Sequence, residues 1–195
     1  MVGIVDTLLD AIHGDARWET PREELSRIER LGNGQFGEVS KMVTKHYTGD
    51  YMFVAVKSLV AIEPEDGVEE AIDIQQQEDD FVAEVELMKR LRHPNVVSML
   101  GCCLEDKPFL MVLELLVGGS LDFWLPENGP DVPMASLVSI AYQTVLGLGA
   151  LKDLQIVHRD LAARNLLIGE DLIVKIADFG LSRDVATDKE SVPPP

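Results

Sequence analysis

Apolar and polar positions alternate through much of the first half of the chain and recur at helical spacing in most of the second. Residues 25–59 read as three strands, near 25–31, 38–45 and 51–59, separated by a glycine-rich turn and by Tyr47-Thr48-Gly49-Asp50. Just before them, Thr20-Pro21-Arg22-Glu23 has the form of a helix start, with a Thr cap, Pro in the first turn and Glu three residues on, and predicts a single turn. The spacing predicts a helix over 80–92, because Phe81, Glu84, Met88 and Leu91 fall on one face. Strands are predicted around 96–103 and 109–115. Gly118-Gly119 breaks the pattern, a short helix follows near 121–125, and Asn128-Gly129-Pro130 ends it.

A long helix over 136–154 carries Leu137, Ile140, Ala141, Thr144, Val145, Leu148 and Leu151 on one broad face. Gly147 and Gly149 weaken this helix intrinsically, which points to close packing at both. A hairpin joins 165–168 to 172–177 through Gly169-Glu170-Asp171. The order is mostly β, then mostly helical from near Leu116. That is an α+β pattern of two lobes with a short connector, and no internal repeat or alternating parallel sheet is expected.

Charge changes the picture in one respect. The chain has 34 acidic against 17 basic residues, a formal charge of −17, so no bulk cationic footprint for nucleic acid is expected. Much of the excess lies in residues 60–80, where Glu63, Glu65, Asp66, Glu69, Glu70, Asp73, Glu78, Asp79 and Asp80 occur without a basic residue. That stretch reads as a solvated excursion, helical near its end, that serves as a tolerated insertion, a regulator of the following helix or a partner contact. Cys102 and Cys103 are adjacent and unsuited to pair with each other, which predicts a reducing compartment. No run of 18 uninterrupted apolar residues predicts a membrane span within this chain, and the opening residues lack the features of a signal peptide.

Leu31-Gly32-Asn33-Gly34-Gln35-Phe36-Gly37-Glu38-Val39 contains G-x-G-x-x-G between two predicted strands. Glycines let a backbone fold closely over phosphates with its amides turned inward. The motif alone is weak. In a dinucleotide fold, however, the third glycine opens a helix, whereas here strand follows, and no G-K-[ST] is present. In Val54-Ala55-Val56-Lys57 the two valines face one side, and Ala55 and Lys57 the other. Ala55 is small enough to admit a flat base, and Lys57 then reaches its phosphates; taken alone, Lys57 reads more readily as an ordinary surface lysine. Glu84 lies on the apolar face of its helix, where an unpaired carboxylate is costly, and Lys57 is its natural partner.

The set closes with His158-Arg159-Asp160-Leu161-Ala162-Ala163-Arg164-Asn165 and Asp178-Phe179-Gly180. In order and spacing, these motifs resemble the protein-kinase set over about residues 25–184, and Trp18-Glu19 resembles the lead-in of cytoplasmic tyrosine kinases. The resemblance implies ATP with Mg2+, or Mn2+ in its place, as cofactors. It implies a bilobal fold with a complete N-terminal lobe at about 25–115 and an incomplete helical C-terminal lobe at about 116–195, preceded by a flanking segment over 1–24. By the same resemblance Asp160 accepts the substrate proton, Arg164 serves near the phosphoryl group, Lys57 and Glu84 form the phosphate-binding pair, and Asn165 and Asp178 bind metal. Leu31, Gly32, Gly34, Phe36, Gly37, Val39, Ala55, Glu114, Leu116 and Leu167 match nucleotide-contacting positions, the connector at 114–116 through its backbone. Leu113 matches the residue that controls access behind the nucleotide. Met88, Met99, His158 and Phe179 match a packed column, which makes His158 a poor general base. Ala162-Ala163-Arg164 is of the tyrosine-specific form, so protein tyrosines are the implied substrates, in the cytoplasm, with room for regulatory partners.

No tyrosine follows Tyr142, and no A-P-E element follows Asp178. The expectation is weak or absent kinase activity for this chain by itself and an exposed helical face. A noncatalytic role in nucleotide binding or protein interaction is the alternative.

Overall fold

The computed structural model describes residues 18–34, 37–45, 50–59, 68–128 and 131–184. They fall into two compact units, one made of the residues up to Lys89 with Met99–Leu115, the other of Arg90–Ser98 with the residues from Leu116 onward. The expected flanking character of 1–17, the turn at 46–49, the acidic residues 60–67, the break at 129–130 and the chain beyond 184 lie outside the described residues.

The first unit is an antiparallel sheet of β1 (Ser26–Gly34), β2 (Gly37–Lys45), β3 (Tyr51–Leu59), β4 (Met99–Cys103) and β5 (Leu110–Glu114), in the order β1-β2-β3-β5-β4. Period two decides its faces. Val54 and Val56 are fully buried in a cluster with Cys103, Leu110 and Val112, while Leu25, Met42 and Met52 pack at its margin. Burial pushes both Cys102 and Cys103 up to about 11, so these free thiols are inert hydrophobes at neutral pH.

Edge strand β4 is not left open. Cys102 N donates to Trp18 O at 2.7 Å and Thr20 N to Cys102 O at 3.0 Å, so the lead-in pairs with the edge before the expected single turn at Arg22–Glu24.

Helix α1 runs Val68–Arg90, starting well before the expected residue 80. Within its acidic part a block of three uncharged glutamines, Gln75-Gln76-Gln77, separates Asp73 from Glu78-Asp79-Asp80. Gln75 donates to Asp79 and Gln76 to Asp80, each one turn on and each at 3.2 Å. The predicted face is the buried one: Phe81, Glu84, Met88 and Leu91 are each 5% exposed or less.

The second unit contains α2 (Leu121–Asn128), α3 (Met134–Asp153), and the short strands β6 (Ile156–Val157), β7 (Leu166–Ile168), β8 (Val174–Ile176) and β9 (Arg183–Asp184). β7 pairs with β8 and β6 with β9. Asn95 stitches the unit: its buried amide donates to Gln143 Oε1 and Val174 O, and its carbonyl accepts from Ile176 N at 2.9 Å.

The broad apolar face expected on α3 is buried only in part. Ile140, Gly147 and Leu151 are buried, but Leu137 and Val145 are exposed, as are Met134, Val138, Tyr142 and Leu146. Among the described residues α3 is the one helix long and apolar enough to cross a membrane, by length and composition alone. A helix packed through Gly147 onto Asn95 and Ile176 passes the same test, so no span is shown.

The two glycines of α3 differ. A Cβ at Gly147 would lie 2.6 Å from Asn95 O and 2.8 Å from Ile176 Cδ1, whereas one at Gly149 meets nothing within 4 Å. The expectation of close packing therefore holds at Gly147 and fails at Gly149. In urea unfolding, Gly147→Ala is expected to lower stability by about 1–3 kcal/mol through overpacking, and Gly149→Ala to raise it by about 0.5–1 kcal/mol through helix propensity. Equal effects at the two positions would contradict the packing described.

Candidate active site

The candidate residues fall into two clusters, one in each unit. In the first, strand register places the lysine. Val39 is cross-strand partner to Lys57, Ala55 to Leu113 and Lys57 to Met111, so these side chains share the face opposite Val54 and Val56. Lys57 Nζ donates to both Glu84 oxygens at 2.8 Å, and the two side chains are only 5% and 4% exposed. The inward carboxylate and its cation thus form one desolvated pair, and the reading of Lys57 as a surface residue is excluded.

Leu31 is exposed, while Val39, Ala55 and Leu113 are half-buried on or beside this face. Glu114 pairs with Val54, which turns its side chain away from Lys57; its contribution to this face is backbone. Gly32 has open space where a side chain would be, Gly34 pairs with Gly37, and Gly37 has φ 150, a conformation that L residues rarely adopt. Phe36 lies outside the described residues.

In the second unit, Asp160, Arg164 and Asn165 converge at the short helical turn Ala163–Asn165. Arg164 is ion-paired with Asp160 Oδ1. Asn165 Nδ2 donates to Asp160 O at 2.8 Å and to Asp160 Oδ2 at 2.9 Å. The hydrogen bond from Arg164, joined by that from Asn165, holds the Asp160 carboxyl below its ordinary range against a partial desolvation that acts the other way. Asp160 is therefore an ionised acceptor at neutral pH.

These donor contacts also set the amide of Asn165. Both acceptors face Nδ2, which turns Oδ1 away from Asp160 as an oxygen that could serve a metal. The β7–β8 hairpin brings the flanks of this region together, since Ala177 N donates to Asn165 O at 2.8 Å immediately before Asp178. Asp178 is half-buried with φ 61. One amide oxygen and one carboxylate suit Mg2+, which keeps waters and takes phosphate oxygens for the rest of its octahedron. Among the described residues no three acidic, His or Cys groups gather into an all-protein metal cage.

Leu167 bridges to Ser120, and Leu116 O accepts from Gly119 N at 3.3 Å, which places both within the second unit. His158 is buried; its Nε2 contacts Ala177 O at 3.0 Å, its Nδ1 accepts from Asp160 N at 3.3 Å, and its ring lies 5.0 Å from that of Phe179. Both nitrogens are occupied, which leaves no free base. In the first unit Met88 and Met99 are also buried. Sequence reasoning missed Glu78 and Lys107, an ion pair between α1 and the β4–β5 turn. An isolated lysine beside Pro108 carries no periodic signal by which to find it.

The model of the family described as protein tyrosine and serine/threonine kinase matches residues 25–193. The tyrosine-protein kinase transforming protein Abl of Abelson murine leukemia virus is 38% identical over 86% of this chain and 20% of its own length. Human tyrosine-protein kinase FRK is 35% identical over 90% of this chain and 32% of its own length. Mouse cytoplasmic tyrosine-protein kinase BMX is 36% identical over 90% and 25%. The fold is that of a protein kinase domain. The chain belongs to the protein tyrosine and serine/threonine kinase family, and these relatives are all tyrosine kinases. It spans between a fifth and a third of their lengths.

A double-mutant cycle measures the buried pair. Lys57→Met or Glu84→Leu alone is expected to cost about 3–5 kcal/mol in urea unfolding by stranding a buried charge, and the double variant clearly less than the sum. Strict additivity would show that the two ions are not coupled.

Proposed function

We propose that this chain binds ATP with Mg2+ and transfers the γ-phosphoryl group to tyrosine hydroxyls of protein substrates. The observation that carries the proposal is the Asp160 carboxylate, held ionised by Arg164 and Asn165. Asp160 orients the phenol and accepts its proton as the phenolic oxygen bonds to the γ-phosphorus and the bond to the bridging oxygen breaks, releasing ADP. Lys57, fixed by Glu84, binds phosphate oxygens. Asn165 Oδ1 and the Asp178 carboxylate hold the cation, which neutralises phosphate charge when bound. Arg164 both lowers the basicity of Asp160 and presents a cation near the phosphoryl group, from a side chain that is 59% exposed. Gly32, Gly34, Phe36 and Gly37 cover the phosphates, and Leu31, Val39, Ala55, the connector at 114–116 and Leu167 receive the base.

The domain division that goes with this reading is a kinase domain from about residue 25, with lobes at about 25–115 and 116–195 and a preceding segment over 1–24. The family match beginning at residue 25 supports it. We place its action in the cytoplasm, supported by two free thiols and by the similarity to the cytoplasmic tyrosine-protein kinase BMX.

A phosphotransfer assay with Mg2+, ATP and a tyrosine peptide tests the function. Asp160→Asn is expected to lower kcat by about 10²–10⁴-fold with MgATP affinity retained. Equal rates in the two forms would remove Asp160 from the base role. The pH profile adds a second check. A depressed carboxylate keeps its acceptor form until pH falls through its lowered value, so Arg164→Ala is expected to move the acidic limb of kcat upward in pH. An unmoved limb would show that Arg164 does not set the ionisation of Asp160.

A further inference from the structure

The turn joining β4 to β5 is held from two directions. Arg22 donates through one guanidinium nitrogen to Asp106 O at 2.5 Å and to Pro108 O at 2.6 Å, which pins the backbone on either side of Lys107. Lys107 itself is ion-paired with Glu78 of α1, and its ammonium lies 6.0 Å from the Phe109 ring centroid. The pair is lopsided: the Glu78 side chain is 7% exposed and that of Lys107 66%. A carboxylate this deeply buried needs a counter-ion, and the turn supplies it from the solvent side. Phe109 also lies 6.5 Å from Phe81, one helical turn beyond Glu78, so the polar and apolar contacts of the turn fall on the same stretch of α1.

Glu78 and Glu84 belong to one uninterrupted helix, α1. Six residues correspond to about 9 Å of rise and to positions about 120° apart around the axis. A tie at Glu78 therefore opposes both sliding and rotation of the helix, the two motions that would draw Glu84 away from Lys57. The buried apolar residues of α1 set which face points inward, and the ion pair at Glu78 adds a directional contact to that packing. The Glu84–Lys57 bond at 2.8 Å tolerates little displacement.

We propose that Lys107 is a positioning residue: by holding Glu78 from a turn pinned by Arg22, it keeps α1 in the register that seats Glu84 on Lys57. The consequence for nucleotide binding rests on the function proposed above, whereas the effect on the helix does not.

The test compares the full chain with its Lys107→Met and Lys107→Arg forms, first by amide hydrogen exchange without nucleotide and then by MgATP titration. Lys107→Met is expected to speed exchange at residues 81–88 by about threefold to tenfold while β3 and β5 keep their protection, and to raise the Kd for MgATP by a similar factor. Lys107→Arg is expected to restore both, since it returns the charge. Unchanged exchange at 81–88 overturns the proposal, as does equal acceleration in α1 and the sheet, which marks general destabilisation. Faster helix exchange with unchanged MgATP affinity also overturns the positioning role. If the wild-type chain binds no MgATP, the nucleotide reading fails instead, and the exchange result, read without nucleotide, still decides whether Lys107 holds the helix.

Discussion

The constraint on which the first unit turns is the burial of two opposite charges, Lys57 and Glu84, almost wholly out of water. Desolvating both ions costs several kcal/mol each, and an apolar pair of similar volume commonly does as well or better for stability. The pair exists because its surroundings are arranged around it. Two antiparallel registers, β2 with β3 and β3 with β5, fix the strand position from which Lys57 projects. The buried residues Phe81, Val85 and Met88 fix the face from which Glu84 projects. Displacement of either element leaves a charge stranded, so the sheet, the helix and the ion pair stand or fall together. Under the proposed function this dependence has a use, because an ammonium already desolvated and aimed costs little reorganisation on meeting phosphate.

The second unit solves a different problem, which is to hold polar loop residues steady. Arg159 and Asp178 both take positive φ, a conformation that costs non-glycine residues about 1–3 kcal/mol and persists only where neighbours enforce it. The enforcement is visible. Arg159 Nε donates to Leu181 O, Ser182 Oγ donates to His158 O, and β6 pairs with β9 across the same region. His158 bridges to Ala177 on one side and to the Asp160 amide on the other. His158 thus works as a brace beside Asp160, whose two partners, Arg164 and Asn165, keep it ionised.

Much of this was legible from the chain. The alternation in 51–59 identified which side of β3 carries Ala55 and Lys57, because a strand offers two faces and Val54 and Val56 claim one of them. The placement of Glu84 among Phe81, Met88 and Leu91 at helical spacing identified it as an inward carboxylate in search of a cation. The beginning of α1 was not legible, because an acidic run without lysines looks like solvated loop until the glutamine-to-aspartate hydrogen bonds are seen. Nor was the narrowness of the buried stripe on α3. Apolar residues cover more of that helix than its own unit buries, and composition cannot tell which of them have neighbours.

Period, turn residues and motif spacing are local properties. By themselves they were enough to give the two faces of β3, the candidate chemical groups and the order of the main elements, though not of the short strands at 156–157 and 183–184. Only the tertiary fold shows which glycine of α3 is indispensable to packing and that Trp18–Thr20 pairs with the edge of the sheet. It alone revealed that Lys107 answers a buried Glu78 and that Asn165 turns its amide nitrogen to Asp160 and its oxygen away. Each of these depends on two segments distant in sequence arriving at one place, and no periodicity in either segment records where the other will lie.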